Sequence, residues 1–140
     1  MPSPRTYYLD TSAYLTMLLG QDGAKDLERE LKGGRIVSSV LLVIETTRNL
    51  VRLSRSGLLS ARDFHKCQER VSEDLEVMQL RALTIDLCID AGMPVVSTPR
   101  TLDLAHLRTA LWFHRHEPLT RLVSLDSNQN DAAREVHLPV

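Results

Sequence analysis

Short apolar runs and longer segments of helical periodicity alternate along the chain. The runs at 7–9, 35–38, 77–80 and 121–125 are rich in aromatic, β-branched or long apolar residues, which predicts strands. Apolar residues at helical spacing predict helices over 13–19, 23–31, 40–51, 60–74, 84–91, 101–116 and 132–136, and residues 138–140 resemble a last edge strand. Strands that alternate with helices indicate an α/β fold, here a three-layer α/β/α domain with a mainly parallel central sheet.

Polar residues stand at the expected starts of three helices. Ser12, Ser39 and Thr101 each precede a periodic segment, so we expect their side chains to cap these helices. The segment after Ser39 carries an apolar stripe at helical spacing, formed by Val40, Val43, Ile44, Thr47, Leu50 and Val51. The same segment carries a basic stripe, which we expect to be an exposed polar face, at Arg48, Arg52 and Arg55.

The composition is that of an ordinary globular protein. The 140 residues are 43% apolar and 25% charged, which excludes a disordered chain and suits one domain over residues 1–140. Neither a signal peptide nor an apolar run of about 18 residues is visible, so we expect a cytoplasmic protein without a membrane span. The cysteines, Cys67 and Cys88, lack the spacing of a zinc site, and the net charge of −1 gives no sign of general attraction to nucleic acid.

Four acidic residues occupy comparable places in this pattern. Two predicted strands end in aspartates, Asp10 and Asp126, and two helices that begin near strand ends carry Glu45 and Asp103. Ligands of open α/β sheets bind at the carboxyl ends of the strands. We therefore expect the four carboxylates to converge at that edge of the sheet.

Four unpaired negative charges in one cleft would repel each other strongly, which favours a compensating divalent cation. Oxygen ligands alone select a hard ion, so Mg²⁺ or Mn²⁺ is expected rather than zinc. One or two such ions would activate a water and stabilise charge on a phosphodiester. The pattern is therefore typical of metal-dependent phosphodiester hydrolysis.

Two further polar residues lie near these acids. His106 follows Asp103 by three residues, so the two can share a helix face. A histidine in this position is more often a surface residue, or a support for a neighbouring side chain, than a catalytic group. Asp131 is expected to cap the last helix, and a supplementary role beside Asp126 stays open.

Together these residues resemble a PIN domain of the VapC toxin type, over nearly the whole chain. The resemblance rests on the order, spacing and flanking residues of the four acids, in the segments 9–13, 38–45, 102–111 and 122–126, with 132–133 and 138–140. It implies a small metal-dependent endoribonuclease, the toxin of a type II toxin–antitoxin pair. It further implies a homodimer that cuts a structured RNA, such as transfer or ribosomal RNA, and is silenced by a VapB-type antitoxin protein.

The resemblance also implies roles for individual residues. Asp10, Glu45, Asp103 and Asp126 match the acidic quartet of the family, and Thr11 or Ser12 matches the hydroxyl beside the first acid. Asp10, Asp103 and Asp126 would bind the metal, and Glu45 would position or deprotonate the attacking water. The chain departs from the family at 127–131, where many relatives have basic or aromatic residues and this sequence reads Ser-Asn-Gln-Asn-Asp.

Other proteins with acids at strand ends fit less well. A receiver-like phosphoacceptor domain would need a lysine at a late strand end, and an aspartate phosphatase would need a second aspartate where Ser12 stands. The alternative that stays open is a catalytically silent PIN-like module that binds RNA or protein.

Overall fold

The computed structural model describes residues 3–90, 92, 95–96 and 100–140. In chain order, these ranges contain four strands and seven helices: β1 (Thr6–Leu9), α1 (Thr11–Leu18), α2 (Ala24–Leu31), β2 (Arg35–Ser39), α3 (Leu41–Arg55), α4 (Ala61–Val77), β3 (Gln79–Arg81), α5 (Ile85–Ile89), α6 (Thr101–His116), β4 (Arg121–Val123) and α7 (Ser127–Glu135). None of the described helices is both long and apolar enough to cross a membrane.

The four strands form one parallel sheet in the order β3-β2-β1-β4. This arrangement confirms the predicted α/β fold with a parallel sheet. The chain passes from β1 to β2 and β3 on one side and returns to β4 on the other side of β1. The carboxyl end of β1 is therefore the point where the strand order reverses, and such points are where open α/β sheets bind their ligands.

Alternating side chains of β1 divide the core between the two faces of the sheet. Tyr7 and Leu9 pack with buried residues of α1, α2, α3 and α4. Tyr8 points to the opposite face, where it packs with α5, α6 and α7. Successive strand residues point to opposite faces, so the helices lie in two layers around the sheet.

None of the three predicted residues is the N-cap of its helix, since Asp10, Val40 and Arg100 hold these positions. Asp10 is the cap of α1, because its carboxylate accepts a hydrogen bond from the Thr11 backbone N–H, and Ser12 lies inside the first turn. Thr101 is the first residue of α6 and caps nothing. The Ser39 hydroxyl does accept a hydrogen bond from the Leu41 N–H at 3.1 Å, although Ser39 itself ends β2. The junction from β1 to α1 is one residue long, so Asp10 both caps the helix and faces the sheet edge.

The apolar stripe predicted for α3 is also wrong in part. Val40 and Ile44 are 38% and 65% exposed, and the buried face of the helix is formed by Leu42, Thr46 and Leu50. The helix is therefore rotated about its axis relative to the predicted orientation: Thr46 faces the core, and two aliphatic residues face solvent. This rotation places Glu45 at the border of the buried face, toward the carboxyl end of β1.

Several boundaries differ from the predicted ones. Helix α4 runs to Val77, so β3 begins two residues later than predicted, and α7 begins five residues earlier. Asp131 therefore lies inside α7, exposed and paired with Arg134 at 3.0 Å, and it is not a cap. Residues 138–140 form no strand, although the Pro139 carbonyl accepts a hydrogen bond from the Leu122 N–H. Residue 91, the predicted end of α5, lies outside the described residues.

Replacement of Leu122 by alanine tests the packing of β4. Leu122 is fully buried between the sheet and the α6–α7 layer. We expect Leu122→Ala to lower the free energy of unfolding by about 2–5 kcal/mol in urea denaturation, because it leaves a cavity. Leu58→Ala is the control, since Leu58 is 75% exposed, and it should change stability by less than about 0.5 kcal/mol. Equal effects of the two substitutions would contradict the assigned core.

Candidate active site

The Asp10 carboxylate is buried at the carboxyl end of β1 and is fixed by three donors. Its Oδ1 accepts a hydrogen bond from the Thr11 N–H at 2.8 Å. Its Oδ2 accepts from the Ser124 hydroxyl at 2.7 Å and lies 3.3 Å from the Ser12 hydroxyl. Asp10 is therefore held rigidly before any ligand arrives. Of the two hydroxyls predicted beside it, that of Ser12 contacts Asp10, whereas Thr11 contacts Asp10 through its backbone N–H and donates its hydroxyl to Glu45.

Ser124 connects Asp10 to the segment that carries Asp126. The Ser124 hydroxyl donates to Asp10 and accepts from the Asp126 N–H at 3.1 Å. Asp126 in turn caps α7 by accepting from the Asn128 N–H at 2.9 Å. Ser124 was not predicted as a site residue, because a serine before an acid is a common turn residue. The signal that reveals it is the strand register, in which Leu9 pairs with Val123.

Asp103 lies in the first turn of α6, half-buried, and faces the other two aspartates. Its burial raises its pKa above the usual range, and the charges of Asp126 and Asp10 raise it further, against the smaller effects of Arg100 and His106. The three aspartates therefore lie within the range of each other's charge at this edge of the sheet. The side-chain amide of Gln129, which is buried in α7, donates to the Asp103 carbonyl at 2.9 Å and ties the two helices together.

Glu45 has different neighbours from the three aspartates. Its Oε1 lies 2.6 Å from His106 Nε2 and accepts a hydrogen bond from the Thr11 hydroxyl at 2.9 Å. His106 is 1% exposed, so it is not a surface residue, and its Nδ1 lies 2.7 Å from the Tyr8 hydroxyl. Tyr8 was not predicted to belong to the site. Its position in a buried strand is typical of a core residue.

The neighbours of Glu45 shift its pKa in the direction opposite to that of Asp103. Burial raises the pKa of Glu45, but the hydrogen bond from His106, the charge of that ring when protonated and the hydrogen bond from Thr11 together lower it below the usual range. Glu45 is therefore stabilised as a carboxylate by the protein itself. Glu45 therefore differs from Asp103, whose pKa is raised by burial and by the charges of Asp126 and Asp10. Asp10 has donors of its own, in Thr11 and Ser124, and its Oδ1 lies 3.8 Å from His106 Nε2.

The hydrogen-bond partners of the His106 ring determine which of its nitrogens carries a proton. A carboxylate can only accept, so Nε2 carries a hydrogen and donates to Glu45. Burial and the nearby charge of Asp10 raise the pKa of the Tyr8 hydroxyl well above its usual value, so Tyr8 keeps its proton. In the neutral ring, Tyr8 donates to Nδ1. The result is a buried hydrogen-bonded chain from Tyr8 through His106 to Glu45.

The three aspartates suit a hard divalent cation by their chemistry. They offer only oxygen donors, and the charges of Asp126 and Asp10 add to the effect of burial in raising the pKa of Asp103. Within the described ranges, however, no three acidic, histidine or cysteine side chains stand close enough to form a ready-made metal site. A cation would have to draw these carboxylates together. Cys67 and Cys88 are both free thiols.

In a comparison with known protein families, the family model described as PIN domain matches residues 7–135. No curated protein sequence matches the chain. The matched range begins in β1, ends with α7 and contains all four acids.

Replacing Asp103 by asparagine tests the repulsion among the aspartates. Because the pKa of Asp103 is raised in the folded protein, its ionised form destabilises the fold above that pKa and has no effect well below the unfolded value of about 3.9. We expect Asp103→Asn to raise the melting temperature of the metal-free protein at pH 7, and the gain to disappear as the pH falls toward 4 or below. A variant that melts below the wild type at pH 7 would contradict this charge arrangement.

Replacing Glu45 by glutamine should have the opposite effect. The lowered pKa of Glu45 means that its charge stabilises the fold above the unfolded value of about 4.3, and that this contribution is lost as the pH falls through the folded value. At pH 7 we expect a loss of about 1–3 kcal/mol in urea denaturation. The control is Glu69→Gln, because Glu69 also pairs with a histidine, His65, but both are exposed. That variant should be nearly neutral.

Proposed function

The chain belongs to the PIN domain family, whose members are generally nucleases, and we propose that it is a metal-dependent endoribonuclease. Its proposed substrate is a structured RNA such as transfer or ribosomal RNA, and its reaction is hydrolysis of a phosphodiester bond by water. The observation that carries the proposal is the position of the buried Asp10 at the point where the strand order reverses, tied through Ser124 to the segment of Asp126. The charges of both aspartates also raise the pKa of Asp103.

Asp10, Asp103 and Asp126 would hold the cation, Mg²⁺ or Mn²⁺. When bound, such an ion neutralises charge on a phosphodiester and makes water a better nucleophile. Asp10 provides the fixed member of this set, since Ser124 and Thr11 already orient both of its oxygens. Asp103 and Asp126 stand at the starts of α6 and α7, where the helix dipoles favour negative charge.

Glu45 would orient the attacking water. Its lowered pKa keeps it ionised, so it can accept a hydrogen bond from a water molecule. The same lowered pKa makes it a weak base, which favours positioning over proton abstraction as its role. Glu45 and the three aspartates therefore contribute in different ways to the proposed reaction.

The exposed side of α3 supports RNA as the substrate. Arg48, Arg52 and Arg55 are exposed and follow Glu45 at intervals that keep them on one side of the helix. At a rise of about 1.5 Å per residue, this row extends about 15 Å beyond Glu45. Arginine forks bind phosphate oxygens well, so the row would contact the RNA backbone beside the cut.

We further propose that the enzyme is the toxin of a type II toxin–antitoxin system, active in the cytoplasm as a homodimer and silenced by a VapB-type antitoxin in a hetero-oligomer. The support is the sequence resemblance to the VapC toxin type, which spans nearly the whole chain.

The second candidate is a catalytically silent PIN-like module. It is favoured by one observation, namely that the described acids do not form a ready-made metal site. Such a module would hold RNA equally well in EDTA and after removal of an aspartate, and it would release no fragments.

Incubation of purified protein with total cellular RNA tests the two functions. With Mg²⁺ or Mn²⁺ we expect discrete fragments that are absent in EDTA and reduced at least about 100-fold by Asp103→Asn. This variant is preferred to Asp10→Asn because the Asp103 side chain forms no cap or hydrogen bond that the fold needs within the described residues. Fragments produced equally by Asp103→Asn would reveal a contaminating nuclease. Metal-independent RNA retention without cleavage would favour the binding module.

A further inference from the structure

The hydrogen-bonded chain from Tyr8 through His106 to Glu45 adds two residues to the proposed mechanism. We propose that His106 and Tyr8 are positioning residues of the nuclease reaction: His106 fixes the Glu45 carboxylate, and Tyr8 fixes the His106 ring. This inference rests on the proposed function, because it assigns a role in RNA cleavage to residues that contact neither metal nor substrate.

The His106 ring has one orientation that satisfies both of its nitrogens. Nδ1 lies 2.7 Å from the Tyr8 hydroxyl and Nε2 lies 2.6 Å from Glu45 Oε1. The ring is almost completely buried and meets the Tyr8 ring edge-on, at 81° and 5.9 Å between centroids. A flip of the ring would separate Nε2 from Glu45 and place a buried polar atom without a partner, which is costly. Tyr8 therefore selects the orientation that reaches Glu45.

The Glu45 carboxylate is only partly buried, so packing alone does not fix its orientation and its hydrogen bonds have to do so. Both donors, His106 and the Thr11 hydroxyl, bind the same oxygen, Oε1. Among the described residues, no donor binds Oε2. One oxygen is thus anchored and the other is left to accept a hydrogen bond from water. Loss of the anchor would let the carboxylate rotate and would misplace that acceptor.

Thr11 couples this anchor to the proposed metal ligand Asp10. Its backbone N–H donates to Asp10 Oδ1 at 2.8 Å, and its hydroxyl donates to Glu45 at 2.9 Å. Thr11 and the His106 ring therefore set the distance between Asp10, which would bind the metal, and Glu45, which would orient the water. Small misplacements of this kind reduce rates strongly, because in-line attack depends on orientation.

A matched pair of tyrosine variants tests the role of Tyr8. Tyr14 is as buried as Tyr8, but its hydroxyl donates to Asp74 of α4 at 2.7 Å and contacts none of the four acids. We expect Tyr8→Phe to lower kcat about 10- to 100-fold with little change in KM, and Tyr14→Phe to leave kcat unchanged. Cleavage of a fluorogenic RNA oligonucleotide is measured with Mn²⁺, at a temperature where circular dichroism shows every variant to be folded.

Two substitutions of His106 separate positioning from packing. Glutamine can place an amide N–H near the position of Nε2, whereas leucine fills the space without a donor. We expect His106→Gln to retain more of the wild-type kcat than His106→Leu, at similar KM and similar Mn²⁺ affinity. Equal losses in both variants would indicate that the ring only fills the core, and would overturn the proposal.

Nitrogen NMR of the histidine rings in metal-free protein gives a readout that does not depend on activity. The His106 signals, identified by their absence in His106→Gln, should show a protonated Nε2 and should shift in Tyr8→Phe but not in Tyr14→Phe. Unshifted signals in Tyr8→Phe, or an unchanged kcat with an active wild type, would overturn the positioning role alone. A wild type that cleaves no RNA in any metal would overturn the proposed function and the role that rests on it.

Discussion

The site depends on the parallel pairing of β1 with a strand on each side. Because Leu9 is in register with Val123, the residues that follow them, Asp10 and Ser124, meet at the same edge of the sheet and bond directly. The pairing of β1 with β2 sends α3 back past the same edge and brings Glu45 to Thr11. Backbone hydrogen bonding thus brings together residues that are more than 100 positions apart in sequence, and the chemistry follows from the sheet order.

The acids gathered by this arrangement are not equivalent, because fixed donors stabilise Asp10 and Glu45, whereas Asp103 lies within the influence of the charges of Asp10 and Asp126. His106 and Thr11 stabilise the negative charge of Glu45, whereas burial and mutual repulsion raise the pKa of Asp103. A bound cation would relieve the repulsion among the aspartates, but Glu45 already has its partner. The free energy lost to that repulsion is available to cation binding, since a ligand bound only by the native state stabilises it. We infer that the charge distribution separates the aspartates, which would bind the cation, from Glu45, which would orient the attacking water.

The sequence predicts the parts of this arrangement that depend on local patterns. The acid that follows β1, the start of α4 near Ser60 and the first-turn position of Asp103 are all visible as periodicity and spacing. The strand predicted to end at Asp126 is shorter, since β4 ends at Val123 and Asp126 caps α7. The rotation of α3 was not predictable, because two faces of this helix carry enough apolar residues to be buried. Only the packing in the folded protein determines that Thr46 is buried and Ile44 is exposed. The roles of Tyr8, His106 and Ser124 depend on contacts across at least 61 positions, which no local pattern records. The PIN resemblance located the acids, but it did not distinguish their electrostatic environments.

Calorimetric titration of Mn²⁺ into the wild type, Asp103→Asn and Glu45→Gln tests this division most directly. The account predicts that Asp103→Asn loses measurable Mn²⁺ binding, while Glu45→Gln keeps an affinity within a few-fold of the wild type. This result would place the cation among the aspartates and leave Glu45 to act on water. A loss of Mn²⁺ binding in Glu45→Gln as large as that in Asp103→Asn would make Glu45 a metal ligand and would contradict its separation from the aspartates.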